Sequence, residues 1–298
     1  MIKKVNNISN HQRKPLVKKL LVYYRKIIFI ILVTSLLLSF NVKPLSGFVS
    51  AQSNSGNHTV YLPLVSKNYQ EWLDLFNQYR AIAGLAPVTA NDSFSQGLDL
   101  HTKYMLLNPT QTNWHTEYPD KPGYTDAGKL AASQSNMLWS NSPSYTVKQA
   151  IDLWMATERH RYHMLNPYLA QSGFSLACDG INCFAGLNIY GAINPSTTIR
   201  NVAYPVDNQT NIPRTNFPIT WGFYPASSIS SFSSPSVSLY DNSNKLVAGS
   251  ITLHSDHVKE IAFMPSNALM SNHKYRVVMS INVNGKVESK TWYFTTGQ

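Results

Sequence analysis

The sequence contains only two cysteines, Cys178 and Cys183, among its 298 residues. A chain of this length can bury one large or two ordinary hydrophobic cores, so it needs no disulfide scaffold to fold. The segment "ACDGINC" does not have CxxC spacing and no third thiol exists, which argues against a redox or zinc centre. In an exported chain we expect the pair to form a small-loop disulfide, which contributes only about 2 kcal/mol.

Acidic residues are missing from the first 51 positions, which hold nine basic ones: Lys3, Lys4, Arg13, Lys14, Lys18, Lys19, Arg25, Lys26 and Lys43. The formal charge of the whole chain is +10, yet residues 52–298 contain 16 basic and 15 acidic residues. The basic charge therefore belongs to the N-terminal segment. The rest of the chain gives no electrostatic reason to expect a nucleic-acid partner.

The N-terminal segment has the pattern of an export signal. Its mostly apolar run from Ile27 to Phe40 is fourteen residues long, which is short for a helix that spans a bilayer. Val49 and Ala51 stand at the minus-three and minus-one positions of a signal-peptidase site before Gln52. We predict a signal peptide over residues 1–51. The long basic leader leaves an uncleaved N-terminal membrane anchor as the alternative, and in both cases the remaining chain is secreted or held at the cell surface.

Two common signatures of hydrolases are also missing. The sequence has no GxSxG nucleophile elbow, and Ser133 near a histidine would be a coincidence in a Ser-rich chain. In "ERHRYHMLNP", His160 and His163 are three residues apart, whereas the HExxH motif of zinc peptidases places its histidines four apart. A metal site would therefore need His115 or Glu117 from a distant loop. His163 lies near a helix end, where we expect a structural or exposed residue.

Hydrophobic periodicity predicts helices followed by strands after residue 69. One helix starts near Glu71 and ends at "AGLAP", a second begins near Asn91, and a third covers "SYTVKQAIDLWMATERHR". His101 falls in the apolar stripe of the second helix, which predicts a hydrogen-bonded core residue. Residues 108–146 are rich in Pro, Gly, Asn and Ser and predict loops, while "SGFSLAC" and "CFAGLNIYGA" predict a hairpin. This order indicates the α+β class.

The composition changes after Ala192. Residues 193–298 contain short alternating segments such as "SVSLYD", "KYRVVMSINV" and "KTWYFTT", several of them separated by turn signals, and no helical period of useful length. This pattern predicts an all-β sandwich, with a domain boundary between Asn194 and Tyr204.

The motifs of the first half resemble the CAP superfamily of cysteine-rich secretory, antigen 5 and pathogenesis-related proteins, most of all its bacterial branch. The resemblance rests on "NQYRAIAGLAPV", "NWHTE", "GYTDAG", "AIDLWM", "HRYHMLNP" and "SGFS", which occur in the family's order over residues 70–192. It implies an α-β-α sandwich whose central cleft is lined by two histidines and two acidic residues that can bind a divalent metal such as zinc. On this sequence the histidines are His115 and His160, and Glu117 corresponds to a cleft carboxylate.

The chain departs from the family at both acidic positions. Lys129 in "GKL" stands where many members have the glutamate of Gly-Glu-Asn, and the second acidic position falls at Thr157, with Glu158 one residue out of register. A lysine ammonium near two imidazoles repels a dication and leaves fewer anionic ligands to hold it. The resemblance therefore implies a cleft formed by His115, Glu117, His160 and Lys129 in which a zinc ion would be weakly held.

The second half resembles bacterial Ig-like domains of surface-layer proteins, because "KTWYFTTG" matches their last strand. Such modules act as spacers or adhesive units. The predicted domains are a signal peptide at 1–51, a linker at 52–69, a CAP domain at 70–192 and an Ig-like domain at 200–298.

Three functions follow as hypotheses. The favoured one is an exported, non-enzymatic protein that binds an extracellular small molecule, a lipid or another cell-envelope component in the CAP cleft, with the Ig-like domain as spacer or adhesive unit. It would contact a membrane only through an uncleaved N-terminal segment. The alternative is a metal-dependent, peptidase-like hydrolase in which His115 and His160 hold the ion and Glu117 is the general base. A purely adhesive surface protein with a vestigial cleft is a third possibility.

Overall fold

The computed structural model describes residues 68–298, so the predicted signal peptide and most of the predicted linker lie outside the described residues. Among residues 68–298, no helix is both long and apolar enough to cross a lipid bilayer. The described chain divides into a mixed first domain and an all-β second domain. The α+β class predicted from the sequence is confirmed.

The first domain contains five helices and six short strands. In chain order these are α1 (Asn68–Ile82), β1 (Thr89–Ala90), α2 (Asp92–Leu107), α3 (Asp126–Ser133), β2 (Ser135–Ser140), α4 (Val147–Ala156), α5 (Glu158–Met164), β3 (Leu169–Ser172), β4 (Phe174–Cys178), β5 (Cys183–Asn188) and β6 (Ala192–Ile193). Strands β2, β5 and β4 form an antiparallel sheet, and β1, β3 and β6 form a second small sheet.

Local sequence signals account for the ends of the predicted helices. Asn91 caps α2, since its side chain accepts a hydrogen bond from the Phe94 amide. The helix α1 ends before Gly84, which has the positive φ of 67° that a glycine tolerates without strain. The predicted hairpin is confirmed as β4 and β5, and the disulfide between Cys178 and Cys183 is present at its turn.

Two local predictions were wrong. The loop predicted over residues 108–146 includes α3 and β2, which pack against α2 and β5 respectively. The single helix predicted through "SYTVKQAIDLWMATERHR" is broken at Thr157, which has extended backbone angles of φ −114° and ψ 137°. The hydroxyl of Thr157 lies 3.1 Å from the Trp154 carbonyl oxygen, and local side-chain bonding of this kind competes with the helical ladder.

The second domain is a sandwich of two sheets. Its strands are β7 (Arg200–Tyr204), β8 (Gln209–Ile212), β9 (Ile219–Tyr224), β10 (Phe232–Tyr240), β11 (Leu246–Val247), β12 (Gly249–His254), β13 (Glu260–Pro265), β14 (Lys274–Val283) and β15 (Lys286–Thr296). One sheet has the order β12-β13-β9-β7 and the other β11-β10-β14-β15-β8. Residues of both sheets share one core, including Trp221, Phe263, Val277 and Trp292.

Strand β9, "ITWGFY", is buried along its whole length. Because side chains alternate across a strand, Ile219, Trp221 and Phe223 enter the sandwich core while the residues between them face the other way. That other face of the four-stranded sheet is covered by the first domain.

The hydrophobic core of the first domain continues into the second. One buried cluster contains residues of both domains. Its members include Trp72 and Phe76 of α1, Trp154 of α4, and Val202, Tyr204, Tyr224 and Val258 of the second domain. We call the contact between α5 and the outer face of strands β7, β9 and β13 the domain junction. The two domains are therefore joined by a buried, partly apolar interface.

Candidate functional site

The loop between α2 and α3 positions His115. The imidazole of the buried His101 anchors this loop on both sides of His115: Nε2 lies 2.8 Å from the Trp114 carbonyl oxygen, and Nδ1 lies 3.0 Å from Glu117 Oε1. A carbonyl oxygen can only accept, so Nε2 of His101 carries a proton. The sequence prediction that His101 is a hydrogen-bonded core residue is confirmed, since it is 0 % exposed.

The structure places Glu117 in the interior of the first domain. It is 1 % exposed, Oε1 contacts His101, and Oε2 accepts a hydrogen bond of 2.8 Å from the Thr125 amide. Gly128 covers it from α3, because a Cβ at that position would lie only 2.2 Å from Glu117 Oε1. Both carboxylate oxygens thus hold the loop in place, and neither faces solvent as a ligand or a general base would.

His115 itself is exposed, and its ring is held from one side. Nδ1 lies 3.3 Å from the Ala132 carbonyl oxygen of α3, so Nδ1 is the protonated nitrogen and Nε2 carries the lone pair. The same helix carries the exposed residues Lys129 and Leu130, the latter 59 % exposed. The α3 helix therefore presents a cation and an apolar side chain one turn from the group that orients His115.

His160 lies on α5 and is oriented by the residue that breaks the preceding helix. Its Nδ1 lies 2.8 Å from Thr157 Oγ1, and that hydroxyl is placed to donate to the Trp154 carbonyl oxygen. This hydrogen bond holds the imidazole by Nδ1 and leaves Nε2 without a partner on Thr157. The sequence prediction treated Thr157 only as a lost acidic position, and the structure shows that its hydroxyl orients the ring of the second histidine.

The two predicted histidines come from different elements, and they are close enough for the charge of His115 to affect the pKa of His160. Burial lowers the pKa of His160 below its usual range, and the charge of His115 lowers it further. His160 is therefore neutral at neutral pH. The two imidazoles form the candidate site, and the exposed Lys129 belongs to α3, the helix whose Ala132 carbonyl oxygen contacts His115.

These residues do not fit a resident zinc ion. Among residues 68–298, no group of three or more His, Cys, Asp or Glu side chains is arranged to hold a metal. Structural and catalytic zinc sites use at least three protein ligands, whereas this site offers two histidines because Glu117 is engaged elsewhere.

Two other residues of "ERHRYHMLNP", Glu158 and His163, lie close to histidines of the second domain. Glu158 Oε1 lies 2.9 Å from Nε2 of His254 on β12, and this hydrogen bond lowers the pKa of Glu158. His163 Nε2 lies 2.9 Å from Tyr190 Oη, and its ring is parallel to that of His257 with 6.4 Å between centroids. Burial lowers the pKa of His163 to about 3. The expectation that His163 is structural therefore agrees with its position in the structure.

Comparison with known proteins assigns both halves of the chain. Residues 73–190 match the model of the cysteine-rich secretory protein family, CAP, and residues 196–296 match that of the bacterial Ig-like domain. The chain contains a CAP domain followed by a bacterial Ig-like domain, as the sequence motifs predicted. Among curated proteins, no sequence matches this chain significantly.

Several solved structures show a weak likeness. CopC from Methylosinus trichosporium OB3b is 17 % identical, covering 32 % of this chain and 88 % of its own with a TM-score of 0.26. PcoC from Escherichia coli, a methionine-rich copper resistance protein, is 16 % identical, covering 32 % and 92 % with a TM-score of 0.26. An outer surface protein from Borrelia burgdorferi is 17 % identical, covering 40 % and 86 % with a TM-score of 0.29. TM-scores this low support no inference about function.

Proposed function

We propose that this chain, a CAP domain followed by a bacterial Ig-like domain, works outside the cytoplasm as a non-enzymatic protein that binds an amphiphilic cell-envelope molecule at His115 and His160. The CAP domain and the disulfide between Cys178 and Cys183 fit a secreted or surface-held protein. Export would use the N-terminal segment.

One observation carries the proposal: the carboxylate that would make this a hydrolytic site is buried and engaged. With both oxygens of Glu117 bonded to His101 and Thr125, the polar groups left to the site are the imidazoles of His115 and His160 and the exposed Lys129. A general base needs to reach the proton that it removes, and a metal-activated water needs a held metal. This arrangement suits recognition better than hydrolysis.

The chemistry of the site indicates the class of ligand. The imidazoles of His115 and His160 can form hydrogen bonds with hydroxyl groups, Lys129 attracts an anion, and the exposed Leu130 offers apolar contact. A lipid with an anionic, hydroxylated headgroup has all three features. We propose such a lipid of the cell envelope as the ligand.

Binding to vesicles tests the proposal. The purified full chain would be titrated with vesicles of phosphatidylglycerol and, separately, of phosphatidylcholine. We expect preference for phosphatidylglycerol and an affinity about tenfold lower in His160→Ala and in His115→Ala, since each loses one hydrogen bond to the ligand. His273→Ala, which changes a histidine in contact with Tyr275 in the Ig-like domain, is the control and should bind normally.

Two results would contradict the proposal. Equal affinity of all three variants and the unchanged chain would place lipid binding elsewhere. Hydrolysis of a peptide that depends on added zinc and disappears in His160→Ala would favour the metal-dependent hydrolase.

A further inference from the structure

The residues of α5 that precede and follow His160 form hydrogen bonds with the Ig-like domain. Arg161 follows His160 directly and is 0 % exposed. Its Nη1 donates to the Met155 carbonyl oxygen of α4 at 2.9 Å, whereas its Nη2 donates to the Pro218 carbonyl oxygen at 2.5 Å and lies 3.3 Å from Thr220 Oγ1. One guanidinium therefore bonds the two domains to each other.

Two aromatic rings of the Ig-like domain contact the same guanidinium. Its Cζ lies 5.0 Å from the ring centroid of Tyr204 and 5.0 Å from that of Phe217. The centroids of these two rings are 6.1 Å apart, so both rings contact the guanidinium from neighbouring directions and add cation–π attraction to its hydrogen bonds. Arg161 is thus held by two separate segments of the Ig-like domain, one at Tyr204 and one at residues 217–220.

Tyr162 makes a second, reciprocal connection. Its hydroxyl donates to the Phe223 carbonyl oxygen at 2.7 Å, and the hydroxyl of Tyr224 donates to the Tyr162 carbonyl oxygen at 2.8 Å. The two rings stack with centroids 4.3 Å apart. The backbone of α5, two residues beyond His160, is therefore bonded directly to a side chain of the other domain.

The start of α5 is tied to the Ig-like domain as well, by the pair Glu158 and His254 and by Arg159 Nη2, which donates to Asp256 Oδ2 at 3.0 Å. From the CAP side, Asn136 Nδ2 donates to the His160 carbonyl oxygen at 3.2 Å. Of the five consecutive residues 158–162, four bond to the Ig-like domain through their side chains, and His160 is the exception.

From these contacts we infer that the Ig-like domain is a working part of the His160 site, with Arg161 and Tyr162 as positioning residues that set where the imidazole lies. A spacer or adhesive module would need no buried contacts with the helix that carries the site. The inference rests on the proposed function for the importance of His160, but its test needs no ligand.

The test compares the imidazole of His160 among full-length variants by NMR at one fixed neutral pH. Tyr224→Phe removes the hydroxyl that bonds the Tyr162 carbonyl and keeps the ring. Tyr275→Phe is the matched control, because it removes a hydroxyl that accepts from the Met270 amide inside the Ig-like domain, away from the domain junction. Arg161→Lys is the stronger perturbation. It is included in the comparison only if circular dichroism shows that the variant is folded.

We expect Tyr224→Phe to shift the ring ¹H, ¹³C and ¹⁵N resonances of His160 by more than those of His273, and Tyr275→Phe to leave His160 unchanged. Thermal unfolding recorded on the same samples separates lost stability from lost positioning. The inference is overturned if both Tyr→Phe variants lower the melting temperature equally and neither moves the His160 resonances. If the His160 resonances move as expected but the chain does not bind lipid, the result would count against the proposed function alone.

Discussion

Arg161 and Glu260 are both fully buried at the domain junction, and each has one polar atom without a hydrogen-bond partner among the described residues: Nε of Arg161 and Oε2 of Glu260. Burial raises the pKa of Glu260 to about 8, although the charge of Arg161 acts in the opposite direction. The junction therefore holds a carboxyl that is largely protonated at neutral pH.

This carboxyl makes stability depend on pH. Because the folded-state pKa lies above the ordinary value of 4.5, the stability that the protonated Glu260 contributes is complete below that pH and is lost as the pH rises to about 8. Glu260→Gln stays neutral throughout. We expect the melting temperature of Glu260→Gln, relative to the unchanged chain, to rise between pH 5 and pH 9. A constant difference across that range would show that Glu260 titrates normally.

The domain junction leaves little space for a larger side chain at Gly222. A Cβ at Gly222 would lie 3.0 Å from Tyr162 Cδ2 and 3.0 Å from Tyr224 Oη, and both tyrosine side chains are buried. We therefore expect Gly222→Ala to lower the free energy of unfolding by about 1–3 kcal/mol in denaturant titrations. Gly297→Ala is the control, because its nearest neighbour would be an Asn211 backbone atom at 3.6 Å. Equal stability of both variants would mean that the junction is loosely packed.

The hydrogen bonds of the buried residues His101 and Glu117 should hold in place the loop that contains His115. Glu117→Ala leaves His101 Nδ1 and the Thr125 amide without their hydrogen-bond partner, so we expect a loss of about 2–4 kcal/mol in unfolding free energy. Asp120→Ala, an exposed change in the same loop, should stay within about 0.5 kcal/mol. If Glu117→Ala were as stable as Asp120→Ala, the carboxylate would have no structural role and could serve the site instead.

Local patterns in the sequence predicted much of this fold. The periodicity from Glu71, the cap at Asn91 and the hairpin around Cys178 and Cys183 each depend on residues close together in the chain, and each is present. The break at Thr157 was missed because a threonine hydroxyl can bond its own helix or end it, and only the fold decides which.

The site was predicted less completely, because its decisive contacts join distant residues. Glu117 looked like a cleft carboxylate from its motif alone, and the buried partner that engages it is sixteen residues earlier on α2. One signal was available: a histidine in an apolar stripe needs a polar partner, and Glu117 follows in the next loop. Nothing local marked Arg161 as buried, since its partners Pro218 and Thr220 lie in another domain.

Zinc can be titrated by calorimetry into the metal-free, full-length protein and, in parallel, into His160→Ala. We expect no stoichiometric binding and indistinguishable traces for the two proteins, because two histidines without an available carboxylate do not make a zinc site. One equivalent of zinc bound by the unchanged chain and lost in His160→Ala would contradict this prediction.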